Sequence, residues 1–398
     1  MNGKKLLGLL LALCLVAALF AGCGGSAGNS AEPAATGSNG GSGSENPGAA
    51  SSAGSGAEEA DLPRYKIGIL SHTNSGGCWE RMLDAARYTA GELNCEITTA
   101  GGGNADAIIT EVENFIASGV DAVILTNDGG VTSRLVDICS DAGVYIAFSD
   151  CGLSVVNEDN YSTYSTNEYY VGHIAHDEYA DSYACVQDMI ANGATNFVVF
   201  GLPPGISSNF DLRAVGAEAA ITDAGLEYVE ARSYAMAEIA NNLMSQYPDT
   251  DAIFSFVTTP DSFNVPDMVS KYGGKIQISA YMVGDVSYEF DVGFLTHVSV
   301  GSEARLQATM ALVYNALRGD RLSNEDGTPA EILFPHLWIT SGDDFKAFYA
   351  ATTGGNHAYG IDEIKQLIKV FNPDVTVADY QTIADDFCDP AGWLASRK

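Results

Sequence analysis

The residues able to do chemistry in this chain gather where apolar runs end. His72, Thr73 and Asn74 follow the run Tyr65–Leu70, and Trp79 comes just after them at the start of an amphipathic stretch. Asp128 follows the apolar run at 122–126, Asp150 ends the run Val144–Phe148, and Arg213 follows a Pro/Gly loop. Such side chains offer hydrogen-bond donors and acceptors, a carboxylate, a guanidinium and one flat apolar face. Each polar residue also fits an ordinary strand-to-helix connection. Catalysis fits them poorly. Ser71 beside His72 has no third group or GxSxG motif to make a nucleophile, and the acids Asp128 and Asp150 fit ligand acceptors or helix caps as well as an acid–base pair. The chain therefore reads as a binder, not an enzyme, with no cofactor motif. The glycines Gly101–Gly103 lack the GxGxxG or Lys–Ser/Thr that a phosphate cradle needs.

The runs that position these residues alternate with helical patterns. Tyr65–Leu70, Cys95–Thr99, Ala122–Thr126 and Val144–Phe148 read as strands with helices between them. The helix after the second strand carries Ile108, Ile109, Val112, Phe115 and Ile116 at helical spacing. βαβ spacing of this kind implies a doubly wound parallel sheet with right-handed crossovers, whose carboxyl edge is the place for a ligand. The pattern restarts with a helix expected over Tyr169–Asn192 and strands at Phe197–Gly201, Glu227–Ser233, Ala252–Val257 and Gln277–Met282. Thr296–Val300 reads as a strand returning to the first lobe, Glu303–Leu317 as a helix, and Ile332–Ile339 as a third crossing strand. The fold class expected is α/β: two doubly wound parallel-sheet lobes joined by a three-crossing hinge, with a helical C-terminal extension. The expected boundaries are 63–165 plus 301–334 for the N-terminal lobe and 166–300 plus 335–340 for the C-terminal lobe. Residues 341–398 would form two or three helices capping the second lobe.

Ahead of these lobes, Lys4 and Lys5 precede an apolar run, Leu6–Ala21, that is too short to span a bilayer and stops at Gly22–Cys23. Residues 1–22 thus read as a signal peptide. Leu19–Phe20–Ala21–Gly22–Cys23 resembles a bacterial lipobox, with Phe20 where Leu is more usual, so Cys23 is the expected lipidation site. Residues 23–62 are rich in Gly, Ser, Ala, Asn and Pro and read as a disordered tether. The expected location is the extracytoplasmic face of the cell membrane, held by a lipid anchor. The whole chain carries a net charge of −32, and removing Lys4 and Lys5 brings it to −34. Nucleic acid is excluded as a partner, since phosphate binding needs clustered Lys and Arg. Cys78, Cys95, Cys139, Cys151, Cys185 and Cys388 show no metal-ligand spacing, and both disulfides and buried thiols stay open for them.

Taken in order, YKIGIL with an aromatic at the following helix start, FIASGVDAVIL (Phe115–Leu125), AGVYIAFSD (Ala142–Asp150), GLPPG followed by Arg213–Gly216, and YPDTDAIF (Tyr247–Phe254) resemble the type I periplasmic binding proteins. The branch is that of ribose and simple-sugar receptors of ABC transporters, and the resemblance covers about Tyr65 to Ile339. It implies that Trp79 stacks on a sugar ring, that Asp150 accepts from hydroxyls and that Arg213 closes over the ligand from the second lobe. It also implies roles for Tyr234 as a further aromatic and for Thr126 and Asn127 at the third loop. Departures fall at Cys151, in place of an arginine, at Thr258–Thr259–Pro260–Asp261, at Ala280–Tyr281–Met282 and at Val300, in place of a glutamine. Thr259, Asp261 and Tyr281 are the ligand-facing candidates at these altered positions. Buried hydroxyls left unpaired cost roughly 1–3 kcal/mol each, so the implied ligand is sugar-like but less polar than ribose. The implied partner is an ABC permease, or alternatively a membrane kinase or chemoreceptor that reads the closed lobes. A repressor of the same two-lobe plan would need a basic DNA-binding segment where this chain has a secretion signal.

Overall fold

The computed structural model describes residues 62–72, 76–151, 161–257, 260–281 and 283–397. The signal peptide, Cys23 and the tether lie outside these residues, as do Thr73, Asn74 and Thr259. The first strand, β1 (Tyr65–Ser71), is buried from Ile67 onward, as expected of a strand covered on both sheet faces. It pairs in parallel with β2 (Cys95–Gly101) on one side and β3 (Ala122–Leu125) on the other. β4 (Tyr145–Ser149), β5 (Tyr170–Ala175) and the late strand β11 (Ala330–Leu333) extend the sheet in the order β11-β5-β4-β3-β1-β2. Helices α1 (Trp79–Glu92), α2 (Ala105–Ala117) and α3 (Thr132–Asp141) make the crossovers, and a single turn, α4 (Tyr161–Tyr164), precedes β5.

The second sheet repeats the plan in the order β12-β10-β9-β8-β6-β7. Its strands are β6 (Phe197–Gly201), β7 (Tyr228–Arg232), β8 (Ala252–Ser255), β9 (Gln277–Ala280), β10 (His297–Val300) and β12 (Leu337–Ile339). Only β12 runs antiparallel, against β10. Helices α5 (Glu178–Ala191), α6 (Ser208–Asp223), α7 (Met236–Gln246), α8 (Val265–Tyr272) and the short α9 (Ser287–Asp291) accompany it. α5 and α6 approach closely at Gly216, where a Cβ would lie 2.3 Å from Ser182 Oγ and from the Tyr179 carbonyl.

The chain crosses between sheets three times. β5 leads into α5, β10 into α10 (Ser302–Leu317), and β11 into β12. Three expectations change here. The strand expected to return to the first lobe, Thr296–Val300, is β10 of the second sheet, paired with β9 and β12, so the return comes only with α10. The helix expected over Tyr169–Asn192 is a fully buried strand, β5, followed by α5, which is capped by Asp177 accepting from the Ala180 N–H. The first crossing therefore comes after Ala175, and 166–175 stay with the first sheet. The single strand expected over Ile332–Ile339 is two short strands in different sheets, with Phe334–His336 as the crossing.

The C-terminal extension holds four helices, α11 (Gly342–Ala351), α12 (Ile361–Gln366), α13 (Val377–Phe387) and α14 (Pro390–Ser396). It does not cap the second lobe alone. α10 is buried on every side from Ser302 to Ala316, because the extension covers the face that the sheet leaves open. The polar residues on that face bond to the extension backbone: Gln307 to both the N–H and the C=O of Tyr359, and Asn315 to the Leu367 carbonyl and the Lys369 N–H. Gln381 likewise pairs with both backbone groups of Leu333, covering the edge strand β11. On the second lobe, the ring of Phe345 packs 5.6 Å from Phe290, and Lys346 pairs with Asp291.

Candidate functional site

The carboxyl edges of the two sheets meet. Arg81, on α1 of the first lobe, donates to the Val283 carbonyl of the second at 3.1 Å, and Gly284 lies against Gly77. The loops after β1 and β3 sit at this edge. His72 is exposed, with Nδ1 3.5 Å from the Asn127 amide. Asn127 Nδ2 donates to the Gly102 carbonyl and its Oδ1 accepts from the Gly129 N–H, which closes a tight turn. Thr126 is buried against the Leu70 carbonyl, and Asp128 accepts from the Thr132 hydroxyl at 2.7 Å. These three side chains hold the loop. Trp79, at the start of α1, is 6 % exposed and belongs with Cys78 and Met82 to the larger apolar core.

Asp150 ends β4 in a left-handed conformation, φ +62°, which a short polar side chain tolerates better than most. Its carboxylate accepts from Ser302 Oγ at 2.8 Å and from Arg305 Nε, both on α10. Burial pushes this carboxyl up. Arg305 beside it outweighs that push, helped by His176, His336 and Ser302, and holds the group well below the usual carboxylate range. Position 151 is a cysteine, and the guanidinium beside Asp150 comes from Arg305 on the other side of the second crossing.

Arg213 lies in the first turns of α6 and is buried. Its Nε and Nη2 donate to the two oxygens of Glu178 at 2.5 and 2.7 Å, a bidentate pair within the second lobe. Its Cζ stands 4.0 Å from the centroid of the Tyr281 ring. Burial lowers the Arg213 pKa, but Glu178 more than compensates and raises it. Tyr281 is fully buried, edge-on to His336 and Trp338, and among the described residues its hydroxyl has no hydrogen-bond partner. Tyr234 stands 74 % exposed. Asp261 falls in the 3-10 turn Pro260–Ser262, and its side chain is outside the described residues.

The structure thus gathers Asp150, Arg213 and Tyr281 and adds residues that the sequence reading missed: Arg305, Glu178, His176 and His336. His176 sits on the first crossing and His336 on the third. The clearest signal for them was the run His176–Asp177–Glu178 directly after a buried strand. His176, Glu178 and His336 place their polar atoms within 4.8 Å of one another, a spacing that fits a metal ion. However, both Glu178 oxygens are already taken by Arg213, and Arg305 stands beside His336 at 3.4 Å. Two guanidiniums balance two carboxylates, so a divalent cation would add uncompensated charge to a dry site. Asp181, also buried, is pushed up to about 7 by desolvation and accepts from the His336 backbone N–H. Two concavities of about 560 and 460 Å³ flank the Arg397–Glu363 ion pair of the extension, away from the sheet edges. The first is lined by residues such as Tyr88, Asn356 and His357, and the second by Asp385, Asp389 and Trp393.

The family model described as periplasmic binding protein domain matches residues 67–269. The fold is shared with a solute-binding protein of an ABC transporter from Actinobacillus succinogenes solved with D-allose. That structure is 16% identical, with 71% of this chain and 99% of that one covered and a TM-score of 0.61. It is shared also with a solute-binding protein from Bacillus halodurans solved with myo-inositol, 14% identical, covering 73% and 99%, TM-score 0.57. A galactofuranose-binding protein is 13% identical, covering 72% and 98%, TM-score 0.60. No curated protein matches the chain. No helix among the described residues is long and apolar enough to cross a membrane.

Proposed function

From the premise that this chain belongs to the periplasmic binding protein family, we propose that it is an extracytoplasmic receptor, anchored by lipid at Cys23, that captures a small neutral sugar-like molecule between its lobes for an ABC importer. The observation that carries this reading is the meeting of two carboxyl sheet edges across three chain crossings, the arrangement of a ligand trap. The relatives solved with D-allose, with myo-inositol and as a galactofuranose-binding protein support the ligand class.

Neutrality is supported by the ion pairs. Asp150 is neutralised by Arg305 within the first lobe and Arg213 by Glu178 within the second. Among the described residues of this cluster, a charged ligand would meet no uncommitted counter-charge and would have to break a pair. His72 is an exposed side chain at the edge of the first lobe, and Tyr234 is an exposed aromatic on the second.

A thermal-shift panel of neutral sugars and cyclitols, set beside sugar acids and sugar phosphates, tests the ligand class. A true ligand at 100 times its dissociation constant stabilises by about 2.7 kcal/mol. Stabilisation by charged members alone overturns the neutral reading. Replacing Cys23 with alanine should release the protein from membranes and abolish labelling by a clickable fatty acid. A variant that stays bound and labelled refutes the anchor.

A further inference from the structure

The two hinge histidines are arranged so that each touches both lobes. His176 places Nε2 3.6 Å from Asp150 Oδ1 in the first lobe and Nδ1 3.2 Å from Glu178 Oε1 in the second. His336 places Nε2 3.4 Å from Glu178 Oε2, while its Nδ1 lies 2.7 Å from Ser299 Oγ and 3.4 Å from Arg305 Nη2. The rings are 4.1 Å apart, His176 is fully buried and His336 is 7 % exposed. Neither nitrogen of His176, nor Nε2 of His336, has a hydrogen bond of good geometry among the described residues. Two imidazoles thus fill the space between two already neutral ion pairs, at the points where the chain passes between lobes.

We infer that closure of the lobes is coupled to protons through His176 and His336: the closed form holds both neutral, and acid drives the lobes apart. The physical argument is charge balance. A proton on either ring in the closed form would be a fifth charge in a dry cluster whose two cations and two anions already cancel. The groups that face His176 are Glu178 on α5, Asp150 after β4, Arg305 on α10 and His336. Those that face His336 are Arg305, Arg213 on α6, Asp150, Glu178, the hydroxyl of Ser299 on β10 and the ring of Tyr281 after β9. Asp181 on α5 holds the His336 backbone. Burial drives His176 down to about 3 and His336 well below its ordinary value, Arg305 and Arg213 adding to the effect on His336.

Parting the lobes separates the two ion pairs and admits water, which returns each imidazole to an ordinary pKa of about 6.5. The open form then binds more protons than the closed one, so falling pH favours it. At pH 5.5 the opening constant rises by about 11-fold per histidine, and by about 120-fold if both are hydrated, relative to alkaline solution. Asp181 acts in the opposite sense: if opening hydrates it as well, release of its proton offsets about 30-fold of that rise at pH 5.5 and leaves a net increase of about fourfold with both histidines hydrated. The inference rests on the reading of the lobes as a trap that opens, and not on which molecule the trap holds.

Hydrogen–deuterium exchange on the intact protein tests it, with rates corrected for the intrinsic effect of pH. Peptides covering 76–84 and 281–286, where the lobes touch, report opening, and peptides from β3 and β8 report global unfolding. In the wild type the opening constant should climb as pH falls, with a slope in its logarithm of about −0.6 to −1 per pH unit between pH 6 and 5 if Asp181 is hydrated with the histidines and up to about −2 if it stays buried, while β3 and β8 stay protected. The double variant His176→Gln/His336→Gln should lose that slope, each single variant should lose part of it, and Asp181→Asn should keep or steepen it. A zero slope in the wild type overturns the inference even if no variant folds, as does an unchanged slope in the folded double variant. Contact peptides that exchange only together with β3 and β8, at every pH, overturn the opening trap itself and the inference with it.

Discussion

Replacing Arg213 with methionine removes one partner of a fully buried ion pair while keeping most of the side-chain volume. Glu178 is 0 % exposed and would be left facing two neutral imidazoles without its guanidinium. Breaking a buried pair in this way costs about 3–5 kcal/mol, of which about 2 kcal/mol is the size expected for the guanidinium stacked at 4.0 Å on Tyr281. For a unit of lobe size that corresponds to a fall in melting temperature of about 6–20 °C. The second substitution, Glu178→Gln, removes the stranded charge. The double variant should therefore recover to within about 2 kcal/mol of wild type, with a coupling energy of about 2–3 kcal/mol between the two sites. Denaturant unfolding followed by tryptophan fluorescence measures all four corners of the cycle. A single variant within 1 kcal/mol of wild type, or strictly additive effects, refutes the claim that the pair is dry and exclusive.

Three further outcomes are expected. Tyr281→Phe deletes a hydroxyl that has no partner among the described residues in a fully buried site, so chemical denaturation should show it neutral or slightly stabilising; a loss above about 1.5 kcal/mol would reveal a bond to a residue outside that set. Asp150→Asn keeps the side-chain shape suited to φ +62° but removes the charge; because the folded-state pKa of Asp150 is depressed, its contribution is whole above about pH 4 and fades as pH falls through that depressed value, so the stability gap to wild type should stay level from pH 7 to about pH 4 and narrow below it. Gly216→Ala forces a Cβ to within 2.3 Å of Ser182 Oγ and the Tyr179 carbonyl, and should cost at least 1–3 kcal/mol, on the order of other overpacked sites, with exchange protection lost first in α5 and α6.

The lobes were legible because their strands are short β-branched runs bounded by glycine and polar loops, as in Ala122–Leu125 and Ala252–Ser255. β5 escaped because it is buried on both faces and so shows no alternation to set it apart from the start of α5, and Gly172 gave no warning that it takes φ +139° beside the Ala330 carbonyl. The helical face of α10 was visible at Leu306, Met310 and Val313, yet nothing local says that Gln307 and Asn315 on the other side are buried too. Their partners lie 52 to 54 residues away. The same holds for the site. Asp150 and Arg213 stand out as polar residues at strand and helix ends, but Arg305 pairs with Asp150 across 155 positions and Glu178 with Arg213 across 35. Sequence patterns report which face is apolar; they do not report which distant charge answers a buried one.

The extension that follows the third crossing touches both lobes, through α12 and α13 on one side and α11 on the other. It therefore adds a fourth, non-covalent link to the three covalent crossings. If the lobes part as proposed, one of its two anchors would have to slide or let go, and the strength of the weaker anchor would enter the opening rate. A released anchor does not diffuse away, because residues 352–360 still join it to the lobe that holds the other. Over so short a tether the effective concentration is on the order of millimolar, and re-docking is independent of how much protein is present. The extension would make such an opening an intramolecular, self-resetting event whose rate could be tuned by surface residues such as Lys346 and Asp291.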